Sequence, residues 1–221
     1  GRKIKSKEPA VLLIHGAGMD CTVWQLQTRW IAYKKRTVFA IDLPGHGKSQ
    51  GKCLKNINEM ADWLICFLDA LNISKVAIVG HSMGGFIALD FAARYPHRVR
   101  ALALLGVSTQ MVVHPELLAA AQFNSKNAAN LICDWGYSGW FHIGGNPVIG
   151  AWAIGTGKKI LECSGAGVLA TDLLACNSFR DTKEAARNIL CPTLCILGQE
   201  DKMISAHHAS SLTSLIPNCK V

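Results

Sequence analysis

The ten residues Val76 to Gly85, VAIVGHSMGG, leave the chain few ways to fold. Val76-Ala77-Ile78-Val79 is a short apolar run of the kind that forms a strand buried on both faces, and an apolar helical run, Phe86 to Ala93, follows closely. Between them Gly80-His81-Ser82-Met83-Gly84 must turn strand into helix without a spacer, which places Ser82 on a sharp corner. Glycines two before and two after the serine suit that corner, because side chains there collide with neighbouring elements and the serine's own backbone is strained. The plainer reading is a serine that caps the helix.

The rest of the chain supplies a sheet for this corner. Ala10-Val11-Leu12-Leu13-Ile14, opened by Pro9, is a continuous apolar strand that runs into His15-Gly16-Ala17-Gly18. Asp20 or Thr22 caps a helix over Trp24 to Ala32, Thr37 to Ile41 is the next strand, and Asp42 to Ser49 is its glycine-rich exit. Met60, Ala61, Leu64, Ile65, Leu68 and Leu71 recur at helical spacing between Asn58 and Leu71, and Asn72 stops that helix. The helix after the corner ends before Pro96, and Val99 to Leu105 is a further strand. Three crossover units in succession predict a parallel, doubly wound α/β sheet.

From Ser108 to Thr182 no strand pattern is visible. Helical stretches at Pro115 to Asn130 and Ala166 to Cys176 predict a mainly helical insertion. Its Trp135, Trp140, Phe141 and Trp152 are candidate pocket-lining residues, against the alternative that they pack the insertion itself. The sheet pattern returns at Pro192 to Gly198, a helix follows over Ser205 to Leu215, and Pro217 to Val221 reads as the start of another strand. The expected division is core 1–107, helical insertion 108–182 and returning core 183–221.

A chain of 221 residues, half of them apolar and 17% charged, has the composition of a folded domain rather than a disordered tail or coiled coil. Its formal charge of +8 comes from basic residues spread over element ends, such as Arg29, Lys34, Lys35 and Arg36, which favours a solvated face over a nucleic-acid groove. Anionic substrates or surfaces remain compatible with it. The chain shows no secretory pattern and no apolar run of about 18 residues, so a soluble, cytoplasmic protein is expected. Nine cysteines, an odd number without zinc-ribbon spacing, are expected as reduced thiols. No metal cluster or phosphate-binding loop is legible, and neither a metal nor a cofactor is expected.

A serine hydroxyl needs a base to take its proton and N–H donors for the anion it creates. The Met83 N–H stands at a helix start, and the His15–Gly18 loop leaves another strand of the same sheet, so Met83 and Ala17 are candidate oxyanion donors. Asp201 lies beyond a later strand, where a carboxylate can orient a histidine; capping the following helix is its plainer role.

HG-x-G at His15 to Gly18 with Trp24 downstream, DLPGHGKS at Asp42 to Ser49, GHSMGG at Gly80 to Gly85 and LGQED at Leu197 to Asp201 occur in family order and at family intervals. On these motifs the chain resembles the α/β-hydrolase superfamily, of the type with a helical cap. The resemblance implies a mostly parallel α/β-hydrolase sheet with a helical cap insertion. It makes Ser82 the nucleophile, Ala17 and Met83 the oxyanion N–H groups and Asp201 the triad acid, supported by His15, Gly16, Gly80, His81 and Gly84. It also implies a small or medium apolar ester, or a related acyl compound, cleaved through an acyl-enzyme. C–C bond hydrolysis, cofactor-free haloperoxidation or perhydrolysis, and a non-catalytic ligand-binding homologue are the alternatives.

The family places its histidine on a loop after a final strand, and Val221 stands near the start of that strand. The expectation is therefore that terminal sheet elements are missing and that a C-terminal segment or a second chain supplies the base. Arg2 to Ser6 reads as the remnant of a preceding strand. Of the histidines present, His207 and His208 are the internal alternative, His46 is a pocket-edge or loop-fixing residue, and His97, His114 and His142 have no constellation around them. Asp42 is expected to hold backbone N–H groups, and Asp172 lies in the cap.

Overall fold

The computed structural model describes residues 10–221 except 124, 147 and 149, with the backbone alone for 125 and 206–208. Pro9, the Arg2 to Ser6 remnant, Pro147 and the side chains of His207 and His208 lie outside the described residues.

Six strands, β1 (Ala10–Ile14), β2 (Thr37–Ile41), β3 (Val76–His81), β4 (Val99–Leu105), β5 (Thr193–Ile196) and β6 (Cys219–Lys220), form one open sheet in the order β2-β1-β3-β4-β5-β6. Every pairing is parallel, as expected for apolar strands joined by helical crossovers. The register decides where the loops emerge: Ile14 lies opposite both Ile41 and Gly80, and Leu105 lies opposite both His81 and Ile196. The exits of β1 to β5 are therefore gathered along one sheet edge.

Between β1 and β2 a 3-10 turn at Cys21–Trp24 leads into α1 (Gln25–Tyr33); Asp20 rather than Thr22 is the cap, its carboxylate accepting the Thr22 N–H at 2.8 Å. The next crossover is α2 (Ile57–Ala70), which Asn56 caps by accepting the Glu59 N–H at 2.9 Å. Its helical stripe Ile57, Met60, Ala61, Leu64 and Leu68 is buried, and Asn72 ends it in a left-handed conformation at φ 54°. After the corner, α3 (Met83–Arg94) is buried from Met83 through Ala92 and packs against α2. Leu12, Ile14, Ile78, Phe86 and Phe91 are among the residues of this sheet core.

Between β4 and β5 lie α4 (Pro115–Phe123), α5 (Ser125–Gly136), α6 (Gly139–His142), α7 (Ala153–Glu162), α8 (Val168–Ser178) and α9 (Thr182–Arg187), with no strand among the described residues. Helix α7 is not evident from the sequence, because Gly155 and Gly157 lower the helix propensity of AIGTGKKILE. A second apolar cluster forms here, with Leu117, Ala128, Cys133, Leu161 and Leu169 among its members. Helix α8 belongs to both clusters: Leu169 and Leu173 join the second, while Ala175 and Cys176 join the sheet core. Helix α10 (Ala206–Thr213) leads to β6.

Candidate active site

Ser82 has φ 53° and ψ −118°, a conformation L-residues rarely adopt, and its side chain makes no capping hydrogen bond to α3. The helix-cap alternative is therefore not what the hydroxyl does. Main-chain bonds hold the corner: the Ser82 N–H donates to the Leu105 carbonyl at 2.9 Å, and the Ser82 carbonyl accepts from the Gly85 N–H at 2.8 Å. A Cβ at Gly80 would run into the backbone of Gly84 and Gly85, and one at Gly84 into the carbonyl oxygens of Ile14 and His15. The start of α3 thus sits directly on the main chain leaving β1. In the first turn of α3 the Gly85 N–H is taken by the Ser82 carbonyl, while the Met83 and Gly84 N–H groups come before the first intrahelical acceptor.

The loop after β1 is braced from several sides. His15 is fully buried; the Leu43 N–H donates to its Nε2 at 3.2 Å, so the ring's proton resides on Nδ1 and donates to the Gly16 carbonyl at 2.9 Å. Burial lowers its pKa to about 4, and the ring is a neutral strut. His81 packs on Gly16, where an added Cβ would lie 3.0 Å from its Nδ1, and desolvation also lowers the pKa of this ring. Gly18, at φ 65°, lies against Leu161 and Leu169 of the helical insertion.

One member of this brace is not evident from motifs. Asp172 of α8, with no exposed surface, accepts the Gly18 N–H on Oδ2 at 2.7 Å and the His46 Nε2–H on the same oxygen at 2.8 Å. His46 Nδ1 faces the Pro44 carbonyl at 3.1 Å, so both ring nitrogens face acceptors, an arrangement that favours the imidazolium. Burial opposes that charge, yet the Asp172 carboxylate holds the His46 pKa above its usual value. A usable sequence signal existed: Asp172 is the single charged residue in the apolar run VLATDLLAC.

Asp42 accepts the Cys21 N–H at 2.7 Å and the Lys48 N–H at 2.9 Å, which occupies both of its oxygens in loop construction. Asp20 and Cys21 lie close beside it, and burial together with Asp42 pushes the Cys21 thiol up to about 11. Asp201 stands two strands from Ser82. The Gly106 N–H donates to the Ile196 carbonyl at 3.0 Å, which continues the main-chain path from Leu105 to the end of β5. Asp201 Oδ1 accepts the Met203 and Ile204 N–H groups at 2.8 and 3.0 Å, leaving Oδ2 directed toward Gly106.

A cleft of about 360 Å³ opens beside Asp201, lined by Gly136, Tyr137, Ser138, Phe141 and residues 198–201; Ser82 is not among its lining residues. Of the four aromatic candidates, Phe141 alone lines it. Trp140 and Trp152 are exposed, folded over Gly145 and Gly155, and Trp135 meets His114 edge-on. His97, His114 and His142 are on the surface. Ser82 Oγ lies 3.9 Å from the Met111 sulfur.

The family model described as alpha/beta hydrolase fold matches residues 9–127, over half of the chain. The chain belongs to the α/β-hydrolase family. It is 37% identical over 103 residues to 2-hydroxy-6-oxo-2,4-heptadienoate hydrolase of Pseudomonas putida, covering 43% of this chain and 36% of that protein. It is 39% identical over 97 residues to the dihydrolipoyllysine-residue acetyltransferase component of an acetoin cleaving system, also of Pseudomonas putida, covering 43% and 26%. The chain thus spans about a quarter to a third of these relatives' lengths. An enol-lactonase structure from Burkholderia xenovorans superimposes with a TM-score of 0.84 at 21% identity, over 97% of this chain and 82% of that one. A thermophilic esterase structure does so at 0.75 and 26%, over 98% and 80%. Likeness at this level of identity describes the α/β-hydrolase fold.

Proposed function

We propose that this α/β-hydrolase cleaves a small or medium apolar carboxylic ester, or a related acyl compound, through an acyl-enzyme on Ser82. The observation that carries this reading is the corner itself: Ser82 is held at φ 53° with its hydroxyl released from helix capping, directly before the Met83 N–H at the α3 start. Attack by Oγ on the acyl carbon forms the C–O bond and moves a charge onto the carbonyl oxygen. The Met83 and Ala17 N–H groups receive that charge, aided by the positive end of α3. The adduct then collapses, breaking the ester C–O bond and expelling the alcohol, which takes from the base the proton that Oγ lost; water attacks the acyl-enzyme in the same way, releases the acid and returns the proton to Oγ. Asp201 orients the base through Oδ2.

None of the described imidazoles has a hydrogen bond to Ser82, and His15 and His46 are committed to the loops. The base in this proposal is a histidine outside these 221 residues, from the same protein or a second chain. A second reading, C–C bond hydrolysis on the same machinery, is favoured by the similarity to the heptadienoate hydrolase.

A fluorophosphonate probe on the full-length protein tests the assignment. Labelling is expected on Ser82 and is expected to vanish in Ser82→Ala while persisting in the double variant His207→Ala/His208→Ala; undiminished labelling of Ser82→Ala refutes it. Turnover of p-nitrophenyl esters against vinylogous diketones separates the two readings.

A further inference from the structure

We propose that Asp172 is a positioning residue, which holds the oxyanion loop in register with Ser82 by gripping the Gly18 N–H from the cap helix α8. The inference rests on the reading of Ala17 as an oxyanion donor. The Gly18 N–H lies in the peptide plane that follows Ala17, so its 2.7 Å bond to Asp172 fixes a dihedral immediately beside that donor. His46 bonds the same oxygen at 2.8 Å, so the gripping atom is itself held. The three groups come from the β1 exit, the β2 exit and α8, and meet only because the cap folds back onto the sheet edge.

Stability is a poor explanation for this arrangement. A buried ion pair generally gains little over well-packed apolar side chains, because each charge loses its water. Here the cost is compounded, for Asp172 Oδ1 has no hydrogen-bond partner in the structure. Leucine at 172 would continue the apolar run of α8, which already carries Leu169 and Leu173 into the second cluster. What an apolar residue cannot do is accept the Gly18 N–H. The loop also needs an outside grip, because Gly18 at φ 65° imposes little conformation of its own. The cap is thereby coupled to the oxyanion hole, and a substrate that displaces α8 is felt at Gly18.

The test uses the full-length protein with p-nitrophenyl butyrate, a fluorophosphonate probe and backbone amide exchange at Gly18. For Asp172→Ala, kcat is expected to fall about 10- to 100-fold with KM within about twofold, as for a misplaced transition-state donor. Probe labelling of Ser82 should slow in parallel. Asp172→Asn, which keeps an oxygen for Gly18, should recover most of kcat. Unchanged kcat and labelling in a folded Asp172→Ala, or a loss confined to KM, overturns the proposal. If Asp172→Ala fails to fold, Asp172→Asn and Asp172→Leu replace it, and equal kcat in these two overturns the proposal as well. A wild-type protein that does not label defeats the serine-hydrolase reading instead. The grip is then read from Gly18 exchange, which accelerates in Asp172→Ala if the bond holds the loop and is unchanged if it does not.

Discussion

At the scale of single residues the site is built from conformations that only its surroundings sustain. A non-glycine residue at φ 53° and ψ −118° carries a strain of about 1–3 kcal/mol, and Ser82 bears it. Glycine relieves that strain and alanine does not. Ser82→Gly is therefore expected to unfold at higher denaturant concentration than Ser82→Ala, by about 1 kcal/mol in chemical denaturation, although both lack the hydroxyl. Equal stability of the two variants would show that the corner is unstrained. The residues flanking Ser82 are as tightly defined: Gly80 and Gly84 touch main chain, and no rotamer of an added side chain escapes the collision.

At the scale of elements, α2 and α3 are joined by more than apolar contact. The Arg94 guanidinium reaches Asp90 at 2.7 Å and Asp62 at 2.6 Å, with Asn58 donating to Asp90 at 3.2 Å. Burial raises the Asp90 pKa, and Arg94 pulls against that rise. Arg94→Ala leaves a buried carboxylate without its cation, and a loss of about 2–3 kcal/mol at neutral pH is expected from urea unfolding. An acid whose folded pKa lies above its unfolded value favours the folded state as it protonates, so the deficit relative to wild type should shrink as pH falls toward 4. A deficit independent of pH would mean that Asp90 bears no unpaired charge. The strands and the crossover helices were legible because burial on a sheet imposes short apolar runs and helical periods, as at Ala10–Ile14 and Met60–Leu68. The corner, its glycines and the bracing roles of His15 and Asp42 were legible because tight turns admit few residue types. Helix α7 was hidden by Gly155 and Gly157, and the Asp172 grip by distance: its partners Gly18 and His46 lie 154 and 126 positions away. The aromatic content of the insertion did not reveal which rings face inward, since Trp140 and Trp152 cover glycines on the surface.

At the scale of the whole molecule, the sheet core and the helical cluster meet at α8 and at Ala17, which packs against both. Among the described residues, the His46–Asp172 pair links the two across that meeting. Around it stand the neutral His15, with its ring 4.8 Å from His46, the loop carboxylate of Asp42, and the Cys53 and Cys176 thiols, both of which burial keeps protonated. His46 titrates above 6.5 in the folded protein, so its contribution is complete below that pH and lost as pH rises through the folded value. Hydrogen exchange of the α8 amides, corrected for intrinsic rates, should show protection that declines over this interval in the wild type and stays level in His46→Gln. Protection that does not change with pH in the wild type would leave the ion pair without a role in closing the molecule.

The contact of Gly84 with the carbonyls of Ile14 and His15 has a consequence for divergence. The spacing between the Ser82 corner and the loop after β1 is set there by two main chains, with no side chain between them to mutate. Drift or a mutant library cannot tune that spacing by degrees. Under the proposed function, new substrate preferences are expected from replacing helices between β4 and β5, a search that leaves the Ser82 corner untouched.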